Sequence, residues 1–524
     1  MKKLISVLMC LCVMASAFTA CTRQQSEEAE VTITGITLTD EGILVGGDPA
    51  PSDPSAAVYV ANDIIYYEEG HGEDYGEGTE SEEHSAQEAD RHTVVHITKP
   101  GNYMITGSLS AGQIAVDLGK DAEKDKNRVV NITLNNVDIT CTVAPAIICY
   151  SAYECGPSES AYATKDVDLS AAGFNINIAD GSVNNISGSH VAKILNPETG
   201  KKLHKYDAAI ESLVSFNING TDGVLNVTSD NEGIETKMHM SINGGIVEIN
   251  SCDDALNAGE DGISVITIND GRIVANSTLG DEGDGIDSNG WLVINGGYLS
   301  AFSSDKAMES GLDSDNGVYI NGGTVFSTGN MYDSVSKDST QSVAVINLDE
   351  WIYDGEYLVL KSSAGDAVTG FVSTADYRVM IYSSPLLTED DYTLYKAENI
   401  EGDSVHGIYA NITGVAGEVQ MAHALRSDGE GMPGGMNDKG NRPQKPRGER
   451  PDMPAGEKPQ GGGDMVPVQD IIPEFPELDI NGADKPDKPD KEGKFDFLGR
   501  ELTPVFTFVK GVNLFNSVQR YTGE

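Results

Sequence analysis

Basic residues are scarce in this chain. Its 524 residues hold 35 Lys and Arg against 82 Asp and Glu, a formal net charge of −47. No basic stripe is available to neutralise phosphates, so nucleic acid is excluded as a partner. Cysteine is scarce too: of seven, only Cys141, Cys149, Cys155 and Cys252 follow Cys21. Their spacing fits no zinc pattern and is too sparse to staple a chain of this size. We read them as small core residues, with a Cys149–Cys155 disulfide left open. With no His or Cys cluster, a soft or borderline metal is not indicated. The long apolar run from Leu4 to Phe18 lies at the start, behind Lys2-Lys3 and ahead of Thr19-Ala20-Cys21. That arrangement reads as a lipoprotein signal over residues 1–21, with Cys21 as the lipidated residue. The expectation is an exported protein, lipid-anchored at the cell surface, with no mature transmembrane helix.

What the chain does have is a repeat. The segments Phe216-Asn217-Ile218-Asn219-Gly220, Met240-Ser241-Ile242-Asn243-Gly244, Ile266-Thr267-Ile268-Asn269-Asp270, Leu292-Val293-Ile294-Asn295-Gly296 and Val318-Tyr319-Ile320-Asn321-Gly322 follow one pattern. The last four asparagines stand 26 residues apart, and Asn219 stands 24 before Asn243. Within each unit apolar residues alternate, which is strand periodicity. Met240 and Ile242 point one way, as do Val247 and Ile249 after the Asn-Gly step. Asn and Gly supply positive-φ corners at low cost. Stacking equivalent residues at about 4.8 Å would align the aliphatics in columns and the asparagines in an amide ladder. The expectation is an all-β fold, a right-handed parallel β-helix (solenoid) with one turn per repeat and a disordered C-terminal linker.

A second periodic column is acidic. Eight residues before each repeat asparagine stand Glu211, Glu235, Asp261, Asp287 and Asp313. In the middle repeat Ala255-Leu256-Asn257 is an alternative to Asp261, with the extra residues as a bulge. Carboxylates one strand apart repel by about 0.9 kcal/mol in water and several-fold more at a protein surface. Hard oxygen donors on glycine-rich corners suit Ca²⁺. The competing reading is a solvated acidic edge that blocks aggregation.

The segments Ser241-Ile-Asn-Gly-Gly245, Ser251-Cys-Asp-Asp-Ala-Leu-Asn257, Gly283-Asp-Gly-Ile-Asp287, Val293-Ile-Asn-Gly-Gly297 and Tyr319-Ile-Asn-Gly-Gly323 carry a family likeness. So do Ile97-Thr-Lys-Pro-Gly-Asn-Tyr-Met-Ile-Thr-Gly-Ser-Leu109 and Tyr377-Arg-Val-Met-Ile-Tyr-Ser-Ser-Pro-Leu386. In these the chain resembles the calcium-binding β-helix carbohydrate-binding proteins of clostridial-type surfaces, whose fold is like that of pectate lyases. The resemblance spans roughly residues 90–396. It implies binding of acidic plant polysaccharide such as polygalacturonate, and of cellulose, with Ca²⁺ on corner carboxylates. Carried onto matching positions, the ligands it implies are Asp253, Asp254, Asp284, Asp287 and Asp313, with Asp261 and Asp281 next. The chain departs from the pattern at Ala255, where the family has glycine, and at Lys306, which replaces an acid. A protein this acidic would repel an anionic glycan unless a divalent ion bridged them, so the charge fits Ca²⁺-mediated contact.

For sugar stacking, the outward aromatics Trp291, Tyr298, Tyr319 and Phe326 are candidates, against the alternative that they pack under other segments. A lyase of this fold would need a basic residue near the acids, and Lys237, Arg272 and Lys306 are the candidates. None is marked as poised, so binding without catalysis is the expectation, with a lyase or a purely structural adhesin as rivals. The domain reading is a signal over 1–21, a tether over 22–30 and a carbohydrate-binding domain over 31–425. That domain includes an acidic insertion at 68–91 and irregular last coils or a cap at 343–425. A Pro/Gly/charged linker over 426–494 and a short β segment over 495–524 follow.

Overall fold

In the computed structural model, residues 32–66, 84–191, 206–372, 375–387, 392–405 and 407–427 are described. Cys21 and the proposed signal, tether, 426–494 linker (but for its first two residues) and 495–524 segment lie outside them, as does most of the 68–91 insertion. Its last residues form a four-residue helix, Ala86–Ala89, capped by Ser85.

The repeats form parallel ladders in the expected register. Met240 pairs with Ile266, Ile266 with Leu292, and Leu292 with Val318. In the following strand Val247, Ile273, Leu299 and Val325 pair in turn. All eight side chains are fully buried in one continuous core. Truncating such a residue to Ala typically costs about 2–5 kcal/mol.

The fold is nonetheless not the expected right-handed parallel β-helix. Two long strands, Val130–Thr140 and His239–Asn250, run through the corner rather than ending there. Each therefore pairs with two successive strands on one side and with a single long strand, Gly101–Leu109 or Val265–Asn276, on the other. Val130–Thr140 pairs with Phe174–Ile178 and Val183–Gly188, which pair with Phe216–Asn219 and Val224–Ser229; both of these pair with His239–Asn250. The result is a closed ring of six parallel strands, flanked by further sheets. Beyond Val343, where Asn-Gly corners are lacking, the chain folds back antiparallel. That antiparallel part has its own core around Phe302, Phe326, Phe371 and Tyr382. It joins the parallel part where Thr324–Gly329 pairs antiparallel with Tyr377–Ser383. The chain is mostly β, with a closed parallel ring and mixed sheets in place of an open solenoid.

The sheet that carries the acids is the second one, of eight strands. It runs, in spatial order, through Ile286–Ser288, Leu256–Ala258, Glu232–Thr236, Ala208–Ser212, Ile147–Ser151, Gly112–Asp117, Thr93–Ile97 and Val58–Ala61. In its first four strands Ile286, Leu256, Ile234 and Ile210 are fully buried in the core. Strand alternation then turns their neighbours Asp287, Asn257, Glu235 and Glu211 the other way.

Cys141, Cys149, Cys155 and Cys252 are all free thiols. Cys141 and Cys149 pack in the core, and burial pushes the Cys141 thiol up to about 12.

Candidate acidic site

Register builds the site. Glu211 pairs with Glu235, Glu235 with Asn257, and Asn257 with Asp287. The Asp313 N–H donates to the Ile286 carbonyl at 2.8 Å, placing Asp313 one step further along. The position left open in the middle repeat belongs to Asn257; Asp261 is exposed and accepts from Asn289 Nδ2 at 3.0 Å.

Two groups of carboxylates result. In the first, Asp207, Glu232 and Glu235 are buried and offer oxygens within 4.8 Å of one another. Glu211 joins them from the neighbouring strand, 3% exposed. In the second, Asp284, Asp287 and Asp313 meet the same distance limit. Asp254 adjoins this group, its Oδ1 accepting the Asp284 N–H at 2.6 Å. Asp284 Oδ1 in turn accepts the Ser310 N–H at 2.6 Å. Glycine makes these approaches possible: Gly283 has φ +118°, and a Cβ there would lie 2.5 Å from the Asp253 backbone. The groups border one cleft of about 310 Å³, lined among others by Glu232, Glu235, Asp254, Asn257, Asp284 and Asp287.

Burial and mutual repulsion dominate the electrostatics of these carboxylates. Burial, then the charges of Asp207 and Glu232, hold the Glu211 carboxyl well above its ordinary range. Glu235 is raised by burial and by Glu211, Glu232 and Asp207. Asp254 is raised by burial and by Asp287, Glu232 and Asp253; Asp284 by burial and by Asp254, Asp313 and Asp287. Asp333, beside Asp313, is raised to about 8, chiefly by burial. Raised values of this kind mark sites where a bound cation would reverse the balance.

Hydrogen bonding gives an independent sign. Among the described residues, Glu211 Oε2, Glu235 Oε2 and Asn257 Oδ1 are buried acceptors with no hydrogen-bond partner. Such orphans are costly, about 1–3 kcal/mol each and more when charged. The donor set is all oxygen, and oxygens around one Ca²⁺ at 2.3–2.6 Å lie at most about 5 Å apart. These residues fit a hard divalent cation. Asp207, Glu211, Glu232 and Glu235 would hold one ion, with Asn257 as a neutral ligand; Asp254, Asp284, Asp287 and Asp313 would hold another.

Of the residues the sequence singled out, the structure thus gathers Asp254, Asp284, Asp287 and Asp313, with Asp253 on the cleft wall. Asp281 stands apart, exposed and paired with Lys306 Nζ at 2.8 Å. The buried group of Asp207, Glu211, Glu232 and Glu235 was not among the ligand candidates. Its signal was present, since Glu211 and Glu235 belong to the acidic period.

The aromatic candidates divide. Trp291, Tyr298 and Tyr319 are partly exposed, but Phe326 is fully buried, stacked on Phe371 at 4.7 Å, and closed to a sugar. They form no single stack: Val265 pairs with Trp291, Val293 with Tyr319 and Arg272 with Tyr298. As for basic residues, Lys306 is held by Asp281 and the Gly280 carbonyl, and Lys237 is exposed. Arg272 pairs in the ladder with Tyr298, and burial lowers its pKa.

Comparison with known proteins bears on what the site serves. A curated carbohydrate-binding domain-containing protein of Acetivibrio thermocellus is 28% identical over 157 residues, 30% of this chain and 45% of the relative. The match thus spans under half of that relative's length. The solved polysaccharide lyase-like protein from C. thermocellum, a gadolinium derivative, aligns at TM-score 0.33 and 20% identity, over 56% of this chain and 94% of that one. At that score the alignment carries no argument. A family model of carbohydrate-binding domain-containing proteins matches residues 91–156 and 160–374, more than half of the chain. The chain belongs to the family of carbohydrate-binding domain-containing proteins.

Proposed function

We propose that this protein binds acidic, pectic-type polysaccharide such as polygalacturonate through Ca²⁺ held at the acidic cleft, and does so without cleaving it. The observation that carries the reading is the pairing of two carboxylate groups, each within 4.8 Å, with Glu211 Oε2 and Glu235 Oε2 buried and accepting no hydrogen bond among the described residues. Bound there, Ca²⁺ supplies positive charge and open coordination positions for a uronate carboxylate. Asp254, Asp284, Asp287 and Asp313 hold the ion at the cleft; Asp287 and Asp313 are only half-buried, which leaves the ligand a side of approach. The group around Glu211 and Glu235 is enclosed, so an ion there serves to neutralise and stiffen the wall. The net charge of −47 supports the same reading, since an anionic glycan gains nothing from this surface without a bridging cation.

We further propose that the protein is exported and lipid-anchored through Cys21, presenting the cleft at the cell surface. Among the described residues no helix is long and apolar enough to cross a membrane.

Calorimetric titration of the metal-stripped protein with Ca²⁺, followed by polygalacturonate with absorbance monitored for unsaturated uronate, tests this. The expected result is saturable Ca²⁺ binding, lost in Asp254→Asn/Asp284→Asn, then glycan binding without product. Unchanged Ca²⁺ affinity in that variant would remove the ligand assignment, and product formation would make the protein a lyase.

A further inference from the structure

The acidic cleft calls for positive charge, and the chain carries some of its own. Of the described residues that line the cleft, eight are acidic and none is basic. Lys306 is held away by Asp281 and the Gly280 carbonyl. Glu235 and Asn257, 8% and 7% exposed, line the cleft, and Glu235 Oε2 and Asn257 Oδ1 have no hydrogen-bond partner among the described residues. Buried acceptors in that state call for a donor. Beyond Ser427, outside the described residues, the sequence holds a stretch of the opposite sign. Lys439-Gly-Asn-Arg-Pro-Gln-Lys-Pro-Arg447 contains four basic residues and no acid, in a protein of net −47.

Spacing and reach both fit. Arg442 and Lys445 each precede a proline, Pro443 and Pro446, which disfavours helix and favours the extended polyproline form. In that form, at three residues per turn and about 3.1 Å per residue, Lys439, Arg442 and Lys445 would share one face about 9.3 Å apart. The acidic column has the same interval. Glu235 and Asp287 stand two strand steps apart with the neutral Asn257 between them, about 9.6 Å at 4.8 Å per step. Two successive basic side chains can thus meet two acids and pass over the amide. Ser427 pairs with Val343, Val343 with Ser383 and Ser383 with Val325, three steps or about 14 Å. From Val325 the strand runs to Gly329, roughly 13 Å further. There the Asn330 N–H donates at 2.9 Å to the carbonyl of Glu309, which lines the cleft. Lys439 is twelve residues on from Ser427, a contour of about 40 Å.

We propose that the basic, proline-containing segment Lys439–Arg447 docks on the open side of the acidic cleft of its own chain when Ca²⁺ is absent, and that Ca²⁺ and the segment compete for that cleft. The competition rests on the Ca²⁺ reading given above; the docking does not. Docking gives the metal-free cleft counter-charge and keeps it from glycan until Ca²⁺ arrives. The test compares the full chain with Lys439→Gln/Arg442→Gln/Lys445→Gln/Arg447→Gln, and with Lys439→Arg/Arg442→Lys/Lys445→Arg/Arg447→Lys, which keeps the charge. In calorimetric titration at low salt, the uncharged variant should bind Ca²⁺ about threefold or more tighter than the unaltered chain, as expected when a competitor fills the site most of the time. The charge-keeping variant should match the unaltered chain. Zero-length carbodiimide cross-linking read by mass spectrometry should join Lys439 or Lys445 to Glu235 or Asp287 within monomers in EDTA, and much less in Ca²⁺. Equal, measurable Ca²⁺ affinity in all three chains would overturn the competition, and absence of the cross-link would overturn the docking; both would leave the Ca²⁺ site standing. Cross-links confined to dimers would give the segment to a second copy and overturn docking within one chain. Cross-linking in EDTA with no Ca²⁺ binding by any of the chains would support the docking and remove the Ca²⁺ reading instead.

Discussion

Asn257 illustrates how one side chain sets the character of the acidic column. It stands in register between Glu235 and Asp287 and donates to Glu232 Oε1 at 3.0 Å, a neutral spacer in a line of acids. Asn257→Asp would add a carboxylate next to two others, at a cost of about 0.9 kcal/mol per neighbour in water and roughly 3.5 at an effective dielectric of 20. The expected outcome is a urea midpoint lowered in EDTA by the equivalent of at least about 1 kcal/mol and largely recovered in Ca²⁺. A loss equal in both conditions would argue that the column does not hold the ion. The raised carboxyls give a pH dependence of definite sign. Glu211, facing Asp207, Glu232 and Glu235, and Asp284, facing Asp254, Asp287 and Asp313, bind protons more tightly folded than unfolded. Their contribution is fully present below the ordinary carboxylate range and is lost as pH rises through the raised values, about 8 for Asp333. Metal-free protein should therefore lose stability from about pH 4 upward, and saturating Ca²⁺ should flatten that slope. Metal-free stability that rises over this range would contradict it.

At the element scale, the short strands Glu232–Thr236, Leu256–Ala258 and Ile286–Ser288 hold the acids only because the corners between them turn tightly. Gly283→Ala places a Cβ 2.5 Å from the Asp253 backbone at a φ of +118°. We expect a loss of roughly 1–3 kcal/mol from backbone strain alone, together with weaker Ca²⁺ binding, because Asp253 and Asp254 are the residues that must shift. Unchanged Ca²⁺ affinity would show that this corner does not shape the cleft. The ladder elements were legible in the sequence, because alternating aliphatics and Asn-Gly steps recur at a fixed spacing. Asn257 and Asp261 could not be separated by counting, since a bulge changes the count without changing the composition; strand pairing decides between them. Phe326 was not legible either. Its position in the repeat faces outward, but the antiparallel strands after Val343 cover it, and no local pattern announces that covering.

For the whole molecule, the sequence carried the β class and the parallel registers, but not the architecture. Two strands of 11 and 12 residues run through the corner and close six strands into a ring, which a repeat count cannot reveal. The antiparallel part lacks the Asn-Gly repeat, so its topology had no sequence marker. At this scale composition bears on the ligand: an excess of acid over base calls for a cation as intermediary wherever the ligand is anionic. The most direct test is sedimentation of the purified protein with insoluble polygalacturonate, in Ca²⁺ and in EDTA, for the unaltered chain and for Asp254→Asn/Asp284→Asn. We predict retention in Ca²⁺, release by EDTA, and no retention of the variant in either. Retention that persists in EDTA, or that survives the double substitution, would contradict a calcium-bridged site.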